Sequence, residues 1–247
     1  MKILAVSDKE DAKLQDFIIG NTNVIKKIDF IVSCGDLSKS YLEFIVDSVR
    51  KYFFFVEGNH PTLNNDTSKD YFKKIADKIY DDEQQFSLGG INLHARMEVY
   101  ADYILVGFEG SMRYNMKGYQ YTEKEMARIV SKVSKKIRIQ QIKDFIFRRK
   151  KKKIIVVSHA PILGVHDKQD TCHKGFLCFK NFLKKFNPLI WFHGHVHFEG
   201  QMTEQITKVD NTMVINVYGF HIVDIDNDKV SVVSNIKNFV NSKAEWK

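Results

Sequence analysis

The sequence predicts an α/β fold in which two β-sheets lie face to face under an outer cover of helices. Three observations carry this. Short apolar runs alternate with longer amphipathic segments through the first half of the chain, and the same pairing of apolar run and polar turn returns near residues 154 and 189. The last third instead strings strand-like segments together with no room for helices between them.

The runs Ile3-Leu4-Ala5-Val6, Phe30-Ile31-Val32 and Phe53-Phe54-Phe55-Val56 come first, followed later by Ile154-Ile155-Val156-Val157 and Leu189-Ile190-Trp191-Phe192. Runs so short, rich in branched and aromatic residues, read as strands buried on both faces. Between the early ones, segments 11–20 and 39–50 read as helices, which gives βαβαβ grammar and a mostly parallel sheet. Residues 122–152 have a strongly helical composition and open on Thr122-Glu123-Lys124-Glu125, the spelling of a capping box. Segments 103–107, 205–209, 212–217, 219–225 and 229–234 are strand-like, and the last four, joined by short turns, predict a meander.

At 247 residues the chain suits one large domain, residues 1–247, able to bury roughly 75% of its unfolded surface. Hydrophobic content of 44% and charged content of 28% exclude a disordered chain. A net charge of +8 favours anionic partners without choosing among nucleotides, nucleic acid and anionic lipid. Cys34, Cys172 and Cys178 are odd in number and widely spread, which argues against a disulfide scaffold and fits a reducing cytoplasm. No run approaches the ~18 apolar residues of a membrane span, so no membrane partner is expected. Oligomeric state leaves no mark.

Each strand-like run ends on a cluster of metal-binding side chains. The clusters are Ser7-Asp8-Lys9-Glu10, Gly35-Asp36, Gly58-Asn59-His60, Ser158-His159-Ala160-Pro161 and Gly194-His195-Val196-His197. Loops at the carboxyl ends of parallel strands converge on one crevice, so clusters far apart in sequence meet in space. Carboxylates, an amide and imidazoles in that number suit a pair of divalent cations about 3.5–4 Å apart. Taken extended, alternate residues point the same way, so Asp8 with Glu10, and His195 with His197, should reach together. The plainer reading of Asp8 and Asp36 is a carboxylate capping a turn, and of the histidines a satisfied ring at a strand end; five clusters in order outweigh both. His94, His166, His193 and His221 match no motif and are taken as structural.

In that order the clusters resemble the calcineurin-like metallophosphoesterases, whose motifs run Asp-x-His, Gly-Asp, Gly-Asn-His, His and Gly-His-x-His. The likeness spans Met1 to about Phe198. Gly110-Ser111-Met112-Arg113-Tyr114-Asn115 and Cys172-His173-Lys174-Gly175-Phe176 resemble stretches of a bacterial subgroup with unassigned substrates. The resemblance implies a four-layer αββα sandwich of two mixed sheets flanked by helices. It implies that Asp8, Glu10, Asp36 and His197 hold a first metal and Asp36, Asn59, His159 and His195 a second, with Asp36 as the bridge. Water between the cations, its pKa lowered toward ~7, would attack phosphorus in line. His60 would contact phosphate and protonate the leaving oxygen, a transfer commonly worth ~10²–10⁴-fold.

Two positions depart from the family pattern. Glu10 stands where the family usually has histidine, which adds an oxygen donor and tilts the metal toward Mn²⁺, with Mg²⁺, Fe or Zn²⁺ as alternatives. Pro61 stands where many relatives carry an acid that orients the histidine before it. Arg113, Tyr114 and His173 are the candidates for binding substrate, through guanidinium to phosphate and ring to base. Lys132, Lys135, Lys136, Arg138 and Lys143, with the run Arg148 to Lys153, form a basic helix that is either a solvated face or a nucleic-acid patch.

The expected function is hydrolysis of a phosphomonoester or phosphodiester of a small molecule or nucleotide. A nuclease of the same fold is one alternative. A non-catalytic interaction module that has lost full metal occupancy is another.

Overall fold

The computed structural model describes residues 1–60, 90–115, 117–197 and 205–233. The expected βαβαβ unit opens the chain. Strands β1 (Lys2–Ser7), β2 (Phe30–Ser33) and β3 (Tyr52–Phe55) lie side by side and parallel. Helices α1 (Ala12–Gly20), α2 (Thr22–Ile25) and α3 (Lys39–Val49) connect them. Caps start the longer helices: Asp11 accepts the N–H of Lys13 ahead of α1, and Ser38 that of Tyr41 ahead of α3.

The later strands are β4 (Ile91–Asn92), β5 (Met97–Tyr100), β6 (Tyr103–Phe108), β7 (Ser111–Met112), β8 (Gln120–Tyr121), β9 (Lys153–Ser158), β10 (Ile190–His193), β11 (Ile206–Val209), β12 (Thr212–Asn216), β13 (Gly219–Asp226) and β14 (Lys229–Val233). Helix α4 (Glu123–Ile146) leads into β9, and α5 (Leu177–Phe186) into β10. One sheet runs β14-β13-β1-β2-β3-β4 and the other β11-β12-β10-β9-β6-β5, both mixed, with β7 and β8 a separate pair.

Alternation along the strands makes the layers. Ile3 and Ala5, Phe30 and Val32, and Phe54 and Val56 face inward against Leu105, Ile155, Val157, Ile190 and Phe192 of the second sheet. Their neighbours Leu4, Val6, Ile31, Phe53 and Phe55 face outward onto Leu14, Phe17, Leu42 and Ile45 of α1 and α3. On the far side Ile104, Val106, Ile154, Val156 and Trp191 pack against Met126, Val133 and Ile137 of α4 and Phe179 and Phe182 of α5. Three apolar layers between four layers of backbone are the αββα sandwich.

Two expectations are corrected. The four late strands are not one meander: β11 and β12 form a hairpin on the second sheet and β13 and β14 one on the first. Asn216 turns the corner between them, its side chain donating to the Val196 carbonyl and accepting the N–H of Tyr218, so β13 leaves to pair with β1. The basic helix stops at Ile146, and residues 148–152 lie beyond it. Arg148 takes a left-handed φ of 53°, with Arg148 N–H on the Phe145 carbonyl and Arg149 N–H on that of Asp144. That pair of bonds is a Schellman closure, normally reserved for glycine.

Candidate metal centre

Five turns meet where the carboxyl ends of β1, β2, β3, β9 and β10 come together, and within each sheet a main-chain bond ties neighbouring turns. Asp8 N–H donates to the Gly35 carbonyl and Gly194 N–H to that of His159, both within 3.1 Å. The ligand-bearing turns are not extended. Lys9 N–H closes on Ser7 O and Val196 N–H on Gly194 O, so Asp8 and His195 sit at the tips of three-residue turns, with φ of 59° and 67°. Asp36 also has a positive φ, 56°. Three non-glycine residues in a sparsely populated region at one spot is the kind of local strain that functional sites hold.

Asp8, Asp36 and His159 offer ligand atoms within 4.8 Å of one another. Asp36 accepts the His60 N–H at 3.0 Å through Oδ1 and has Oδ2 3.3 Å from His159 Nε2. Asn59 donates its amide to the Tyr114 hydroxyl at 3.1 Å, which leaves its Oδ1 2.8 Å from the same Nε2. His195 lies alongside, its ring 4.8 Å from that of His159. On the other flank His197 Nε2 is 3.6 Å from Asp8 Oδ1, while Asp8 is fixed by the Ser7 hydroxyl at 2.5 Å and by His195 N–H.

Two backbone carbonyls decide which ring nitrogens can bind a cation. His159 Nδ1 is 2.8 Å from the Cys34 carbonyl and His195 Nε2 is 2.8 Å from that of Cys172. A carbonyl only accepts, so each of those nitrogens carries a proton. Nδ1 of His195, and Nε2 of His159 once a cation displaces its proton, are therefore the atoms with a donor lone pair to give, which is the outer-shell arrangement of metal-binding histidines. With its carboxylates and amide oxygen, this donor set fits divalent cations.

The charges agree. Burial alone would depress the His159 pKa, yet the Asp36 carboxylate beside it holds it up at about 9. Burial likewise pushes Asp36 up, but His159 outweighs that and leaves it below the usual carboxylate range. His195, desolvated and next to a cationic His159, falls to about 3 and stays neutral. Without metal, the His159 proton stands where a cation would. A folded pKa raised above the ordinary 6.5 stabilises fully below about pH 6.5, and that stabilisation is lost as pH rises through about 9. Thermal melts of chelator-treated protein should thus fall between pH 6.5 and 9, and added Mn²⁺ should remove most of that fall.

The other expected residues divide. Glu10 does not join the cluster: because the chain turns at Asp8, its carboxylate accepts the Ser38 N–H at 3.1 Å, at the start of α3. Tyr114 reaches the site through Asn59, and the His173 ring lies 5.1 Å from that of His195. Arg113 turns instead to Glu125, 2.8 Å away at the start of α4. The His60 side chain is exposed; Pro61 lies outside the described residues. Cys172, His173 and His195 also offer atoms within 4.8 Å of one another, but His195 Nε2, the atom on that side, has its proton on the Cys172 carbonyl.

Sequence reasoning missed the supports. His166 Nδ1 is 3.0 Å from His193 Nε2, and His193 Nδ1 is 3.0 Å from the Gly194 carbonyl, so two neutral imidazoles, His193 buried and His166 partly buried, brace the turn that carries His195. Burial lowers their pKa values to about 4 and about 3. Tyr218 packs its ring 5.0 Å from that of His197. Two histidines without a motif were the available signal for the first pair; Tyr218 offered none.

The sequence matches the family described as calcineurin-like phosphoesterase over residues 1–199. Among solved structures, one crystal structure superposes with a TM-score of 0.60 at 17% identity, covering 94% of this chain and 98% of the other. The protein TT1561 of Thermus thermophilus superposes with 0.58 at 12% identity, covering 94% and 97%. At such identities the likeness is one of fold. A search of curated proteins gives no sequence match.

Proposed function

The chain belongs to the calcineurin-like phosphoesterase family, and on that premise we propose that it hydrolyses phosphoesters of small molecules or nucleotides at a centre of two divalent cations. Asp8, Asp36 and His197 would hold one, and Asp36, Asn59, His159 and His195 the other. Bound cations would supply charge neutralisation on the phosphoryl oxygens and an ionised water as nucleophile. The observation that carries the reading is the pair of carbonyls, Cys34 and Cys172, that turn His159 and His195 so that each presents a lone pair.

The chain's own residues do the rest. The His60 N–H donates to Asp36, so the carboxylate proposed as the bridge is tied to the turn that carries the histidine proposed to protonate the leaving oxygen. Tyr114 fixes the Asn59 amide, and its partly exposed ring can lie against a substrate group next to the centre. His173 is anchored by Asp170 at 2.9 Å, with its ring against that of His195. Glu10 engages the Ser38 N–H through Oε1, and this engagement favours the alternative of a module with reduced metal occupancy. Mixed oxygen and nitrogen donors make Mn²⁺ the first choice.

Purified protein with Mn²⁺ should hydrolyse p-nitrophenyl phosphate or its bis-p-nitrophenyl diester, lose the activity to a chelator and regain it with metal. Metal analysis should find two ions per chain. Failure on both esters with Mn²⁺, Mg²⁺, Fe²⁺ and Zn²⁺, together with fewer than two ions, would favour the non-catalytic module.

A further inference from the structure

Helix α4 is apolar on two sides. Met126, Val130, Val133 and Ile137 face the core. Ile139, Ile142 and Ile146 follow at spacings of three and four residues, one stripe on a helix, and at about 100° per residue that stripe points away from the core. They are 54%, 57% and 65% exposed, and Phe145 and Phe147 beside them are 83% and 65% exposed. Contiguous apolar surface of this kind is rare on a protein with nothing to bind there.

Cations surround it. Lys135, Arg138 and Lys143 are exposed along the helix, and residues 148–151, all Arg or Lys, continue past its end. Lys150 lies 3.6 Å from exposed Asp102; the only carboxylate within residues 126–151, Asp144, is buried and paired with Lys152. We propose that this face rests on an anionic lipid surface, with the isoleucines and phenylalanines in the headgroup boundary and the cations on lipid phosphates. An exposed apolar stripe flanked by Lys and Arg is the combination that lies in a membrane interface. Nucleic acid would engage the cations and leave the isoleucines wet. A second copy of this chain would set the same cations against one another, and a peptide-type groove would need the side of α4 already buried. No helix of the described residues is long and apolar enough to cross a membrane, so the contact is peripheral. The stripe lies next to the start of β9, whose other end carries His159, so the metal centre stays open to solution.

The test is co-sedimentation of the full chain with vesicles. Phosphatidylcholine mixed with phosphatidylglycerol should carry the protein down, and phosphatidylcholine alone should not. The triple variant Ile142→Ser, Phe145→Ser, Ile146→Ser should sediment at least tenfold less while keeping its helical circular dichroism and its hydrolysis of p-nitrophenyl phosphate. Arg148→Gln with Arg149→Gln should also weaken sedimentation and make what remains less sensitive to salt. Equal sedimentation of wild type and triple variant overturns the proposal, as does absence of binding to the anionic mixture. Tight duplex DNA binding that the serine variant leaves intact, or a dimer in solution that it dissolves, would assign the face to those partners instead.

Discussion

Asp36→Ala is expected to lower Mn²⁺-dependent phosphoester hydrolysis by roughly 10³-fold or more, with metal content falling below two ions per chain. The size follows from position. Asp36 is the carboxylate whose oxygens face both the His60 turn and the His159 ring, and it belongs to the cluster of Asp8, Asp36 and His159. Removing a shared ligand disturbs both cations, and metal assistance is worth several kcal/mol of barrier, at about 1.36 kcal/mol per decade of rate. Stability should move the other way at high pH. Without Asp36 the buried His159 loses the larger of the charges that keep it protonated, Asp8 being the other, so the fall in melting temperature between pH 6.5 and 9 should shrink in the chelator-treated variant. Asp36→Asn keeps the shape and removes the charge. If Asp36→Asn retains full activity with two ions bound, the bridging assignment is wrong.

Much of this site is legible in residue types, because metal ligands are chemically few and the strands that deliver them are short apolar runs. Ile3 to Val6 and Ile154 to Val157 lie within β1 and β9, and their polar followers, Asp8 and His159, meet as convergent loops require. What the sequence withholds is carried by backbone. The carbonyls of Cys34 and Cys172 orient two imidazoles, and a carbonyl has no spelling. The left-handed φ of Asp8 and His195 has none either, and the assumption of extended pairs therefore sent Glu10 to the wrong neighbour. The same gap explains the helix end: Arg148 closes α4 in a conformation that glycine would have announced, and the lysine run beyond reads as more helix. Nor does alternation along a strand say which of two sheets it joins, so the split of β12 from β13 at Asn216 was out of reach.

Gly194→Ala is expected to reduce hydrolysis by roughly 10²-fold although residue 194 binds nothing, because a 1 Å misplacement of a reacting group commonly costs that much. A β carbon there would fall well inside contact distance of the Ser7 hydroxyl and the Asp8 carboxylate. Asp8 could yield only by giving up the bonds from Ser7 and His195 N–H that aim it, and with them its approach to His197. Gly58→Ala meets Asp36 in the same way, and Gly35, at a φ of 101°, has the Gly58 backbone where its side chain would go. Gly194 and Gly58 thus share one physical reason, backbone lying against the carboxylates proposed to hold metal, while Gly35 makes room for the Gly58 backbone beside them. Gly20 supplies the control, since nothing lies within 4 Å of a β carbon there and alanine at the end of α1 should leave activity unchanged. Metal analysis separates the cause from general damage: Gly194→Ala should fold, melt within a few degrees of wild type, and hold less metal. Full activity with two ions in that variant would mean that Asp8 is not where the metal centre needs it.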